Sequence, residues 1–72
     1  MRVTKAQAKR IGDRLKVDWN RIDLEQLRMG IATESEHANV VGRSMIKWAQ
    51  IALVHLKEIP DYYTRLKRME RR

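Results

Sequence analysis

IALVHLKEIPDYYTRL, residues 51–66, decides how this chain folds. Read at helical spacing, Ala52, Leu53, Leu56 and Ile59 share one face, while Lys57 and Glu58 fall opposite. Pro60 ends that helix, because it lacks an amide hydrogen and its ring collides with the preceding turn. Its fixed φ suits the first position of a new helix. Asp61 then lies in the first turn, at the end of the dipole that favours an acid, and Tyr62, Leu66 and Met69 supply an apolar stripe. The predicted element is a helix, a sharp corner and a second helix. It should bury Leu66 over Leu56 and Ile59 and leave Thr64 facing solvent.

Towards the N-terminus the same reasoning extends. Ile46, Trp48 and Ala49 continue the apolar face, so the third helix is expected over 41–58, with Asn39 or Ser44 as its cap. The first helix opens at Thr4, where Thr4 and Gln7 form a capping box flanked by Val3 and Ala8. Ala8, Ile11 and Leu15 give it a narrow apolar stripe. A corner, VDWNRID, leads to a second start at Asp23, with Gln26 completing a box and Ile22 and Leu27 flanking it. Leu24, Leu27 and Ile31 are its apolar positions. Gly12 and Gly30 each cost roughly 1 kcal/mol inside a helix, which points to close approach of a neighbour at both. The expected architecture is all-α: one domain, 1–72, of four short helices over about 4–16, 23–34, 41–58 and 60–71.

Size and composition narrow the function. A chain of 72 residues buries only about 60% of its unfolded surface, so the core is thin. Cysteine is absent, which removes disulfide frameworks and thiolate metal sites. No apolar run reaches the roughly 18 residues of a membrane span, and MRVTKAQAKR lacks the apolar centre of a signal peptide. A cytoplasmic protein with no membrane contact is the expectation.

Charge is uneven along the chain. The net is +7. Residues 1–16 carry six bases against Asp13, for +5, and 65–72 carry five against Glu70, for +4. The middle, 17–64, has five bases and seven acids, for −2. Lys5, Lys9, Arg10 and Arg14 at one end, with Arg65 and Arg68 at the other, could line a phosphate backbone if the two ends adjoin. The opposing reading is a solvated basic surface. Sequence-specific readout is disfavoured, since the aromatic residues sit mostly in apolar stripes and read as core.

The block IPDYYTRLKRME, residues 59–70, is distinctive enough to carry a resemblance. With IGDRLKVDWNRIDLEQLRMGI at 11–31 and SEH at 35–37, it resembles a small family of uncharacterised helical proteins met in phages and bacteria. Lys16 stands where relatives often have glycine, and Leu27 where they often have an aromatic residue. The resemblance implies a small helical fold and carries no cofactor or reaction.

One polar constellation stands out: Glu36, His37, His55, Asp61 and Tyr62. Histidine with carboxylates is a ligand set for zinc or iron. The two histidines lie 18 apart and form no HExxH-type motif, so a structural network of histidine, acid and tyrosine is favoured over a metal. In that network His55 is partly buried, with a ring nitrogen hydrogen-bonded to Glu36, Asp61 or Tyr62. Catalysis has no support: no phosphate loop and no nucleophile elbow occur, and so small a helical domain is expected to offer little concave volume. The resulting expectation is a non-enzymatic binding module without a cofactor. Its partner is another protein or a second copy, through spare apolar residues such as Met29, Met45, Ile51 and Val54, with nucleic acid as the alternative.

Overall fold

The structure, a computed structural model, describes residues 2–36 and 44–70. Four helices occur among them: α1 (Lys5–Arg14), α2 (Leu24–Ser35), α3 (Met45–Glu58) and α4 (Tyr62–Glu70). Local chemistry accounts for each start. Thr4 caps α1 with a complete box: its hydroxyl accepts from the Gln7 amide at 3.1 Å while the Gln7 side chain accepts from the Thr4 amide at 2.9 Å. Asp23 caps α2, accepting from the Gln26 amide at 3.0 Å, and Ser44 caps α3. Asn39 lies outside the described residues.

α1 ends sooner than its stripe suggests. Leu15 is the C-cap, and the chain reverses through Lys16 at a φ of 60°. The Val17 amide donates to the Gly12 carbonyl at 2.8 Å and the Lys16 amide to that of Asp13 at 3.1 Å. This is the Schellman arrangement, whose left-handed position favours glycine. It explains why glycine would be at home where this chain carries lysine.

α2 and α3 form the principal contact; α1 packs across α2 and touches α3, and α4 packs on α2. The core where they meet comprises Val3, Ala8, Ile22, Leu27, Ile31, Trp48, Ala49, Ala52, Leu56 and Tyr63. Both interior glycines mark close approaches. A methyl group at Gly30 would lie 2.6 Å from the Tyr63 ring and 2.7 Å from the Ala52 side chain, so α2 meets α3 and α4 there with no room for a Cβ. At Gly12 the space is taken by the Trp19 ring.

The corner at Pro60 differs from its expected form. The helix opens at Tyr62 and not at the proline; Pro60 and Asp61 make a turn in which the Tyr62 amide donates to the Ile59 carbonyl. Moving the start turns α4 about its axis. Tyr63, 2% exposed, becomes the buried tyrosine, Tyr62 and Leu66 are half-buried, and Met69 is 69% exposed. α4 packs chiefly on α2, and Thr64 faces α2 where solvent was expected.

Candidate functional site

Three features could carry function, and they occupy different parts of the molecule. The first is an open groove of about 590 Å³ between the corner that leaves α1 and the last turns of α3. Leu15, Val17 and Ile22 line it on one side, Leu53, Leu56 and Pro60 on the other. Its charged lining is Lys16, Arg21 and Lys57 with one acid, Asp18. Arg21 lies 3.7 Å from Asp18, whereas Lys16 and Lys57 form no ion pair among the described residues. The volume falls in the range of ligand sites, contrary to the expectation of little concavity. It could not be foreseen locally, because its two walls lie more than thirty residues apart in sequence.

The second feature is the polar constellation, differently composed from the expected one. Glu34 takes the place assigned to Glu36. Its carboxylate accepts from the Tyr63 hydroxyl at 3.0 Å and lies 3.9 Å from His55 Nε2, beyond hydrogen-bond reach. His55 is half-buried as expected, but its partner Tyr62 stacks on it, with ring centroids 4.5 Å apart and planes 9° from parallel, in place of a hydrogen bond. Tyr63 meets both rings edge-on. Burial, followed by the hydrogen bond and charge of Glu34, pushes the Tyr63 hydroxyl well above the usual tyrosine range.

The other expected members stand apart. Glu36 is exposed at the C-cap of α2, and Asp61 pairs with Arg65 at 2.7 Å. His37 lies outside the described residues. Among the described residues no three His, Asp or Glu side chains are placed to hold a metal ion. Glu34 was legible in principle: it extends the buried series Leu27, Gly30, Ile31 by a further three residues along α2. Gln26, expected to complete the capping box at Asp23, has another role. Its side chain does not return to Asp23; it donates to the Thr64 hydroxyl and accepts from the Tyr63 amide at 3.2 Å, satisfying a first-turn N–H of α4.

The third feature is the basic surface. Lys5, Arg10, Arg14 and Arg68 are exposed. Lys9 is engaged with its own helix, donating to both Asp13 oxygens at 2.8 and 2.9 Å and lying 5.3 Å from the Trp19 ring centre. The Lys9 hydrogen bond, and after it that of the Trp19 indole, holds the Asp13 carboxyl below its ordinary range. Arg65 is paired with Asp61, so four of the six expected phosphate-binding residues form no ion pair among the described residues. Between the two basic ends lies Glu25. The Arg28 fork at 2.6 and 2.7 Å depresses its carboxyl first, and Lys5 of α1 and Lys67 of α4 add to the effect. Arg28 also donates to the Val3 carbonyl at 3.3 Å, tying the N-terminal segment to α2.

Among the described residues no helix is long and apolar enough to cross a membrane. A family model described as a protein of unknown function (DUF5661) matches residues 8–72. No curated protein and no solved structure matches.

Proposed function

From the premise that the chain belongs to the DUF5661 family, we propose that it is a non-enzymatic binding module acting through contacts with another protein. One observation carries this reading: α3 holds more apolar side chains than the domain covers. Trp48, Ala49, Ala52 and Leu56 close the core. On the outer side Val54 is 58% exposed and borders a shallow hollow of about 350 Å³ with Ile51. Leu53, at the margin of the inner face, opens to the groove. A helix apolar on more than one side ordinarily finds a partner for each. The resemblance to phage and bacterial proteins supports an accessory role, and the basic, cysteine-free composition suits a cytoplasmic one.

A second reading draws on Lys5 of α1 and Lys67 of α4, whose charges both act on the Glu25 carboxyl. In that reading phosphate contacts dominate, binding falls steeply with salt, and base sequence matters little.

One experiment separates them. The protein is used as bait in a host lysate with and without nuclease, beside its Val54→Glu variant. A partner retained after nuclease and lost with Val54→Glu supports the protein-binding reading. Capture abolished by nuclease and indifferent to Val54→Glu overturns it in favour of nucleic acid.

A further inference from the structure

Resting on that reading, we propose that the groove between the α1–α2 corner and the end of α3 docks an acidic amphipathic segment of the partner. Its apolar side chains sit on Leu15, Val17, Leu53 and Pro60, and its carboxylates meet Lys16, Arg21 and Lys57.

Charge complementarity selects this occupant. Three cations and one acid line an otherwise apolar depression, and two of the cations have no ion-pair partner among the described residues. An apolar floor calls for aliphatic side chains, and a cationic rim calls for carboxylates beside them. Nucleic acid fits less well, because no aromatic side chain lines the groove to stack against a base. A second copy fits less well too, since each chain carries +7.

Backbone geometry at Lys16 is an independent pointer. Its left-handed conformation costs an L-residue free energy that glycine does not pay, and Lys16 borders the groove. Strain held beside a concave surface points to use. Lys16 brings a cationic side chain to the border of the groove, where carboxylates would dock.

The probe is a fluorescent helical peptide of about four turns with leucine on one face and glutamate elsewhere. Two controls replace its glutamates by lysine or its leucines by serine. Anisotropy at low salt should show binding of the first and at least a tenfold weaker response from both controls. Lys16→Gly should weaken binding about twofold to fivefold, as loss of one exposed ion pair does. The same variant should raise the melting temperature, because glycine relieves the strain. Lys57→Glu should weaken binding about tenfold with the fold intact by circular dichroism. No binding of the acidic peptide, equal binding of the lysine peptide, or indifference to Lys16→Gly and Lys57→Glu overturns the proposal. Nuclease-resistant capture from lysate that survives Lys57→Glu but not Val54→Glu overturns the groove while leaving the protein-binding reading standing.

Discussion

Two places where helices meet are filled very differently. At Gly30 the α2 backbone comes so close to Ala52 and the Tyr63 ring that a methyl group has no room, and Gln26 bridges the same seam to Tyr63 and Thr64. At the other end, Leu15, Val17 and Leu53 face one another across an open groove. The first joins the middles of α2 and α3 to the first turn of α4, and the second sets a helix end and corner against the last turns of α3. The difference is that one has a tyrosine and a glutamine to close it and the other has lysines and an arginine. Burying ammonium groups is costly, so a junction rimmed with them stays open to water. Stability concentrates at the first, and the proposed docking surface lies at the second.

The largest test of that division is removal of the ring that closes the seam. Tyr63→Ala should cost roughly 3–5 kcal/mol, the range for a buried aromatic residue. In a domain whose total is about 5 kcal/mol, that leaves it largely unfolded in far-ultraviolet circular dichroism. Leu53→Ala at the groove should cost about 1 kcal/mol, having less apolar area to lose. Equal costs would erase the contrast.

Gln26→Ala comes next. It strands the buried Tyr63 amide, and a buried donor without a partner costs about 1–3 kcal/mol. Chemical denaturation checks it: a midpoint like that of the unmodified protein would mean that water serves the amide equally well.

The two glycines then sharpen the comparison. Gly30→Ala drives a methyl group against Ala52, which cannot move aside, and should cost about 1–2 kcal/mol after helix propensity is credited. Gly12→Ala meets chiefly the far edge of the half-buried Trp19 ring, which can swing away, and should cost less. Thermal melts of the pair decide this.

The smallest effect is visible only in alkali. The folded state holds the Tyr63 proton to higher pH than the unfolded chain, whose tyrosines titrate near 10. The resulting stabilisation is fully present below about pH 10 and declines above it, at up to about 1.4 kcal/mol per pH unit. Tyr63→Phe should flatten that decline relative to the unmodified protein in urea titrations above pH 10. Parallel slopes would show that the hydroxyl is not held as described.

How legible all this was in the sequence follows from the reach of each interaction. Caps at Thr4, Asp23 and Ser44 involve residues three apart, so their donors and acceptors stand side by side on the page. Gly12 and Gly30 announced close packing by being costly where they stand. The register of α4 was missed because a proline permits a helix start without compelling one; opening at Tyr62 exchanged the roles of Tyr62 and Tyr63. Gln26 read as a local capping residue, yet its partners lie 37 and 38 positions away, and no local pattern distinguishes the two uses. The groove is hidden for the same reason, being made by the packing of Leu15–Ile22 against Leu53–Pro60.

Native-state hydrogen exchange tests the division between the two junctions most directly, since it reads opening free energy residue by residue. The slowest amides should be those of Leu27, Gly30, Ile31, Ala52 and Tyr63, approaching the global stability, while Lys16–Ile22 exchange faster by orders of magnitude. Equal protection at both junctions, or slower exchange at the groove than at the seam, would contradict the account.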